Sequence, residues 1–191
     1  MMTPDQGYAK NRFDEIMWAA DNGCFTNPDR SLSSYLRFLA AFSAQAKRRC
    51  LFATAFDVVG DHEATRRRAI PCLTPIRNIG FPVAYVAQDG IESDERLIPW
   101  DLIDAIFIGG TTDWKLSSTA KAVALEARRR GKWVHMGRVN SWRRYRYAST
   151  FCDSADGTFI AFAPDRNLAQ VLRWSELHNT NLRLPIDFGM A

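Results

Sequence analysis

Nowhere in the 191 residues is there a run approaching the roughly 18 apolar residues that a membrane span requires. The start, Met1 to Asn11, is polar and acid-containing rather than signal-like. A cytoplasmic protein is therefore expected. Histidine is scarce, three residues in all, and none stands at ligand spacing from a cysteine. The four cysteines, Cys24, Cys50, Cys72 and Cys152, lie far apart without a CxxC pair. That spacing argues against a metal centre and for reduced thiols, buried or near a site. No Ser/His/Asp or Cys/His set is legible: His62 and His178 read as capping or surface residues, and His135 as a core residue of a strand. Neither GxGxxG nor GxxxxGK[ST] occurs, which removes the dinucleotide and phosphate-loop fingerprints. No low-complexity segment or linker divides the chain.

What remains is an ordinary globular composition, 47% hydrophobic and 24% charged, with a net charge of +4. The length suits one domain with a sizeable core. The arginines are bunched at Lys47-Arg48-Arg49, Arg66 to Arg68, Arg128 to Arg130, and Arg143-Arg144-Tyr145-Arg146. The first and third of these read as solvated helix ends that suit the helix dipole.

Helical periodicity over Leu32 to Ala46 leads into the apolar run Cys50 to Phe56. A helix from Glu63 to about Ile70, capped by Asp61 and bounded by Pro71 and Pro75, precedes a buried strand over Pro82 to Ala87. A helical turn at Ile98 to Ile103, a strand at Ala105 to Ile108, a helix from Ser117 or Ser118 to the basic run, and a strand at Trp133 to Met136 follow. Asn140 to Ala148 reads as a helix, Gly157 to Phe162 as an extended piece, and Asn167 to Leu177 as the last helix. This alternation predicts an α/β fold with parallel strands and right-handed crossovers. Since a full barrel takes about 250 residues, the options are a small or incomplete (β/α) barrel or a doubly wound sheet. The single domain is assigned to 1–178, with an arm over 179–191.

In parallel α/β folds the carboxyl ends of the strands share one face, where chemistry is done. Five polar signatures end apolar runs: Asp21-Asn22-Gly23-Cys24-Phe25, Phe56-Asp57, Gln88-Asp89-Gly90, Gly109-Gly110 and Cys152-Asp153. Asp21 stands on a tight Asn-Gly loop and could equally form an Asx-turn. Asp57 ends so hydrophobic a strand that its carboxylate must find donors or face a cavity. The Gln88 amide offers a donor and an acceptor to a nucleobase edge, and Gly109-Gly110 lets backbone approach a ligand. Asp153 ends the short apolar Phe151-Cys152 and reads as a reacting carboxylate, whereas Asp156-Gly157 reads as a turn. The basic and aromatic residues before it, among them Arg143, Arg144 and Arg146, suit a nucleic-acid backbone.

In this order the pieces resemble the guanine transglycosylases of the queuine/archaeosine tRNA-ribosyltransferase family, and still more the short phage-type relatives that place 7-deazaguanines in DNA. Asp21-Asn22-Gly23-Cys24-Phe25 resembles the family's first active-site loop, Ala55-Phe56-Asp57 its base-reading motif, and Val86-Ala87-Gln88-Asp89-Gly90 its Val-Gln-Gly motif. Ile108-Gly109-Gly110 matches the Ile-Gly-Gly turn, and His135-Met136-Gly137-Arg138-Val139 is similar to the strand bearing a base-covering methionine. Phe151-Cys152-Asp153 resembles the nucleophile motif Phe-Asp-Cys displaced by one residue, which leaves Asp156 as the other candidate nucleophile. Cys24 stands where the motif has a second glycine, no glutamine follows Phe25, and the cysteine-rich zinc segment of the tRNA enzymes is absent.

The resemblance implies a TIM-like barrel without the zinc subdomain, acting on nucleic acid, with DNA favoured over tRNA, in the host cytoplasm if phage-encoded. It implies base exchange without a cofactor: Asp153 attacks C1′, Asp21 assists the departing guanine, and a 7-deazaguanine such as preQ0 or a derivative replaces it. Phe25 and Met136 would sandwich the base, while Asp57, Gln88, Gly109 and Gly110 would read it. Arg138, Arg143, Arg144 and Arg146 would hold the polymer, no membrane is involved, and self-pairing as a homodimer would suit so compact a barrel. The competing expectations are a purine N-glycosidase that uses the same carboxylates, and a non-catalytic nucleic-acid-binding subunit of a transglycosylase.

Overall fold

A computed structural model describes residues 1–6, 10–93 and 97–183. Six strands form one sheet: β1 (Trp18–Ala20), β2 (Cys50–Thr54), β3 (Val83–Ala87), β4 (Ala105–Ile108), β5 (Trp133–Met136) and β6 (Ser154–Ala155). All neighbouring pairs are parallel and the spatial order follows the chain, β1-β2-β3-β4-β5-β6. A doubly wound sheet reverses its order at a switch point, and none exists here. Met2 bridges the outer edge of β1, beside Ala20.

The sheet curls. Neighbouring strands are about 4.8 Å apart, so β2 and β5 in a flat sheet would be separated by roughly 14 Å. Yet the Phe52 and His135 rings, from those two strands, have centroids 5.1 Å apart, and Phe107 of β4 lies 4.7 Å from His135. The concave side is lined by Ala19, Phe52, Ala84, Ala105 and Phe107, a small cluster of its own. The convex side carries Ala53, Ala55, Val83, Tyr85, Ile106, Ile108, Val134 and Met136, which join the larger core beneath the helices. Strands buried on both faces explain why β3 reads as one apolar run rather than an alternation.

Among the described residues eight α-helices accompany the strands: α1 (Leu32–Ala40), α2 (Ala44–Arg49), α3 (His62–Asn78), α4 (Thr112–Lys115), α5 (Ser118–Arg129), α6 (Trp142–Ala148), α7 (Phe159–Phe162) and α8 (Pro164–Arg183). Six of them start on a side chain that accepts an orphan N–H: Ser31, Ser43, Asp61, Thr111, Ser117 and Ser141. Ser43 divides the expected Leu32 to Ala46 helix in two, because its hydroxyl caps Ala46 and restarts the turn. α3 runs straight through Pro71 and Pro75, where a break was expected. The extended piece expected over Gly157 to Phe162 is instead a turn and α7, since the strand ends earlier, at Ala155. α8 continues to Arg183, taking in the start of the expected arm, of which 184–191 lie outside the described residues. Among the described residues no helix is long and apolar enough to cross a membrane.

Candidate functional site

At the carboxyl ends of the strands a cavity of about 320 Å³ opens, within the usual range for small-ligand sites. Its wall takes Asp21 and Asn22 from beyond β1, Thr54 and Asp57 from β2, and Val86 and Gln88 from β3. Phe107, Gly109 and Gly110 come from β4, Gly137 and Arg138 from β5, and Asp156 from β6. Every strand therefore contributes, and strand parity explains which residues do: the inward positions 52, 54, 84, 86, 88, 107, 109, 135, 137, 154 and 156 alternate with the outward ones. Three cavity glycines leave no room for a side chain, and a Cβ on Gly109 would lie 2.7 Å from Val86. A Cβ on Gly137 would lie 2.7 Å from the Phe107 ring, and one on Gly110, at φ +66, would lie 2.5 Å from Trp114.

The loop after β1 is built by its own side chains. Asp21 Oδ1 accepts the Gly23 N–H at 2.7 Å, the Asx-turn contact open to it from the sequence, and Asn22 Oδ1 accepts the Cys24 N–H at 2.6 Å. Asn22 is buried and its amide donates to Ala55 O (2.7 Å) and Asp57 Oδ1 (2.9 Å), tying this loop to the end of β2. Phe25, 78% exposed, stands at the rim.

Gln88 is 1% exposed and largely engaged with protein groups. Its Nε2 donates to Asp57 Oδ2 at 2.8 Å, and its Oε1 accepts from Gly60 N–H (3.0 Å) and Gly110 N–H (2.8 Å). It acts as a brace that fixes Asp57 and the Gly109-Gly110 turn. Asp89 secures the same turn through the Thr111 N–H at 2.7 Å. The Gly110 carbonyl accepts the Arg138 guanidinium across the cavity.

Asp156 Oδ1 accepts the Arg138 N–H at 2.8 Å, and its Oδ2 lies 3.4 Å from His135 Nε2. Arg138 has φ +60, a left-handed conformation uncommon for a side chain of its size. Its carbonyl accepts from Arg144 at 3.1 Å. The preceding Gly137 carbonyl accepts from Lys115 Nζ at 2.8 Å, and that lysine is fully buried.

The carboxylates titrate in opposite directions. Burial pushes Asp21 up, with the neighbouring Asp156 charge adding to it against the Gly23 hydrogen bond. Asp57 is also pushed up by burial, with Asn22 opposing and Asp21 reinforcing. For Asp156 burial acts upward too, but the hydrogen bond and charge of His135 and the Arg138 N–H outweigh it and hold the carboxyl below its usual range. Burial lowers Lys115 to about 8.

Of the sequence candidates, the structure brings Asp21, Phe25, Asp57, Gln88, Gly109, Gly110 and Arg138 to this cavity. Asp153 is not among them. It precedes β6 at the opposite end of the strand, is exposed, and its carboxylate accepts the Val134 N–H at 2.8 Å. The cavity position on β6 belongs to Asp156, which the sequence reading treats as a turn residue. Met136 faces outward into the helical core, fully buried, because Gly137 takes the inward position beside it. Arg143 and Arg146 are exposed on α6, and Arg144 backs Arg138. Sequence reasoning missed Asn22 and Phe107 as site residues, named Asp156 only as the alternative nucleophile, and read His135 as a core residue. The only available signal for the last two is parity, since His135, Gly137, Ser154 and Asp156 share the concave side. A wider groove of about 970 Å³ beside α5 presents Glu126, Arg129 and Arg130, and the carboxylate there is already paired to both arginines. Among the described residues no group of His, Cys, Asp and Glu could hold a metal ion.

Fold and site together define an α/β protein with a carboxylate-rich cavity at the C-terminal ends of a curled parallel sheet. No family model matches the chain, and no curated protein matches it. Among solved structures it is similar to the Bacillus subtilis YkuI protein, with an EAL domain, in complex with substrate c-di-GMP and calcium, at 16% identity and a TM-score of 0.47. That match covers 90% of this chain and 48% of the other, so the chain spans about half of that protein.

Proposed function

We propose that the protein is a base-exchange transglycosylase that replaces guanine in nucleic acid, DNA in preference to tRNA, by a 7-deazaguanine. On this reading the curled sheet is six consecutive strands of an incomplete (β/α) barrel. The observation that carries the proposal is the pair Asp21 and Asp156 on one cavity wall, driven apart in acidity by their surroundings. Two carboxyl groups so separated are a proton donor and a nucleophile.

Asp156, held ionised, attacks C1′ of the flipped-out nucleotide while the bond from C1′ to the guanine nitrogen breaks. Asp21, whose burial favours the protonated form, gives its proton to the departing base. The product is a sugar ester of Asp156 and free guanine. The incoming 7-deazaguanine then returns a proton to Asp21 as its ring nitrogen attacks C1′ and frees the Asp156 carboxylate. One glycosidic bond is broken and one is made, so no cofactor is consumed. Asp57 is placed to accept from the purine edge, with the Gly109-Gly110 backbone beside it, Gln88 bracing both and Phe25 at the rim to cover the base's face. Arg138, with Arg143, Arg144 and Arg146 of α6 beyond it, supplies positive charge for the phosphates.

The test is mass spectrometry of nucleosides from DNA and tRNA of cells making the protein and supplied with 7-deazaguanine precursors. A modified deoxyguanosine is expected with the wild type and with Asp153→Asn, and none with Asp156→Asn or Asp21→Asn. Free guanine released without an acceptor base would mark a hydrolase, and loss of product in Asp153→Asn alone would return the nucleophile to Asp153.

A further inference from the structure

We propose that His135 is the positioning residue for Asp156, oriented by a hydrogen-bond chain that starts at Trp133 and passes through Ser154. The imidazole is 3% exposed and packs against the rings of both Phe52 and Phe107, with centroids at 5.1 and 4.7 Å. Its two nitrogens have one partner each, Ser154 Oγ at 2.8 Å from Nδ1 and Asp156 Oδ2 at 3.4 Å from Nε2. Ser154 Oγ also accepts the indole N–H of Trp133 at 2.8 Å.

The direction of the chain follows from the inventory of donors. An indole nitrogen only donates, so one lone pair of Ser154 Oγ is taken and its single hydrogen is free to point at Nδ1. A neutral ring that accepts on Nδ1 carries its hydrogen on Nε2, facing Asp156, and a protonated ring carries one there as well. The carboxylate is then held on both oxygens, Oδ2 by His135 and Oδ1 by the Arg138 N–H at 2.8 Å. Strand register makes the arrangement possible, since His135 of β5 pairs with Ser154 of β6, and Asp156 lies two residues on, on the same face. The other charged groups facing this pair are Asp21 beyond β1, Lys115 of α4, the Arg138 side chain and the Met1 amine. Of these, Asp21 opposes ionisation of Asp156, and the cations favour it. The downward displacement of the Asp156 carboxyl, with His135 the largest cause opposing burial, agrees with the geometry.

Two measurements test the inference on the full chain. The first, carbon-detected NMR titration of aspartate-labelled protein without substrate, is independent of the proposed activity. His135→Phe keeps a ring but no donor, and Asp156 should titrate at higher pH. His135→Gln, whose amide can donate where Nε2 does, should restore most of the wild-type value. Ser154→Ala leaves the imidazole in place while removing the group that fixes its hydrogen, and should also move Asp156 upward. It serves where His135→Phe does not fold. The second measurement is the pH profile of base exchange, which rests on the transglycosylase reading. His135→Phe should lower kcat on the order of 10²-fold with little change in KM and shift the acid limb upward, with His135→Gln recovering most of the rate. An Asp156 titration unmoved in both His135→Phe and Ser154→Ala, or the same in His135→Gln as in His135→Phe, overturns the inference. The NMR shifts together with no exchange activity in the wild type would uphold the positioning role and sink the transglycosylase reading instead.

Discussion

A buried carboxylate is tolerated according to what points at its oxygens, and Asp21 and Asp57 differ in this respect. Asp21 receives one backbone N–H, whereas Asp57 receives two side-chain amides, from Asn22 and Gln88. Asp21→Asn keeps a carbonyl oxygen for the Gly23 N–H and removes the cost of a buried charge, so a stabilisation on the order of 1 kcal/mol is expected alongside loss of activity. Asp57→Asn must turn an NH₂ toward one of two donors and should destabilise by about 1–3 kcal/mol. Urea unfolding at pH 7 gives both values. The pH dependence has a definite sign as well. The Asp21 carboxyl is raised in the fold, so the stability it contributes is full below its ordinary value and is lost as pH rises through the raised one. Acidification from pH 7 toward the ordinary carboxylate range should therefore help the wild type more than Asp21→Asn. These residues were legible in sequence because an apolar run ending in a carboxylate has few structural uses. Asp156 was legible only as the alternative to Asp153, since β6 is two residues long and offers little alternation from which to count.

At the scale of elements, α3 shows tertiary burial overriding a local veto. Its inner stripe, His62, Thr65, Ala69, Cys72, Leu73 and Ile76, recurs at helical spacing and is buried throughout. Pro71 and Pro75 withhold two intrahelical N–H groups, from the carbonyls of Arg67 and Pro71. Pro71, however, lies on the exposed side, where water can serve the orphaned carbonyls. Sequence reading weighs the prolines and ends the helix at Ile70, because neither the stripe's partner nor the solvent side is visible from local pattern. Pro71→Ala restores the missing hydrogen bond at a position with no packing to lose. The expected gain is about 1–2 kcal/mol, reduced by the greater freedom of the unfolded chain, and a thermal melt with unchanged helical circular dichroism would register it.

For the molecule as a whole, strand-helix alternation was readable, but strand order and curl were not, because they depend on contacts such as Phe52 with His135 across three strands. That packing also buries every thiol at least in part and so decides how the protein responds to alkali. Burial pushes Cys24 to about 11 and Cys50 and Cys152 to about 12, and raises Cys72 and the Tyr35 and Tyr85 hydroxyls. Above about pH 9 the unfolded chain sheds thiol protons that the fold retains, so the native state binds more protons and stability must fall as pH rises, by up to ~1.4 kcal/mol per unit for each thiol. Lys115 acts with the opposite sign. Its ammonium is lowered to about 8 in the fold, so between there and its ordinary value the unfolded chain holds the extra proton and stability rises with pH. The urea midpoint of the wild type, measured in reducing buffer, should therefore climb from pH 8 to about 9 and decline beyond it. Lys115→Met should abolish the climb and keep the decline. A midpoint that falls steadily from pH 8 in both proteins would mean that Lys115 keeps its ordinary basicity, and that its contact with the Gly137 carbonyl is made at the surface of the cavity rather than within the core.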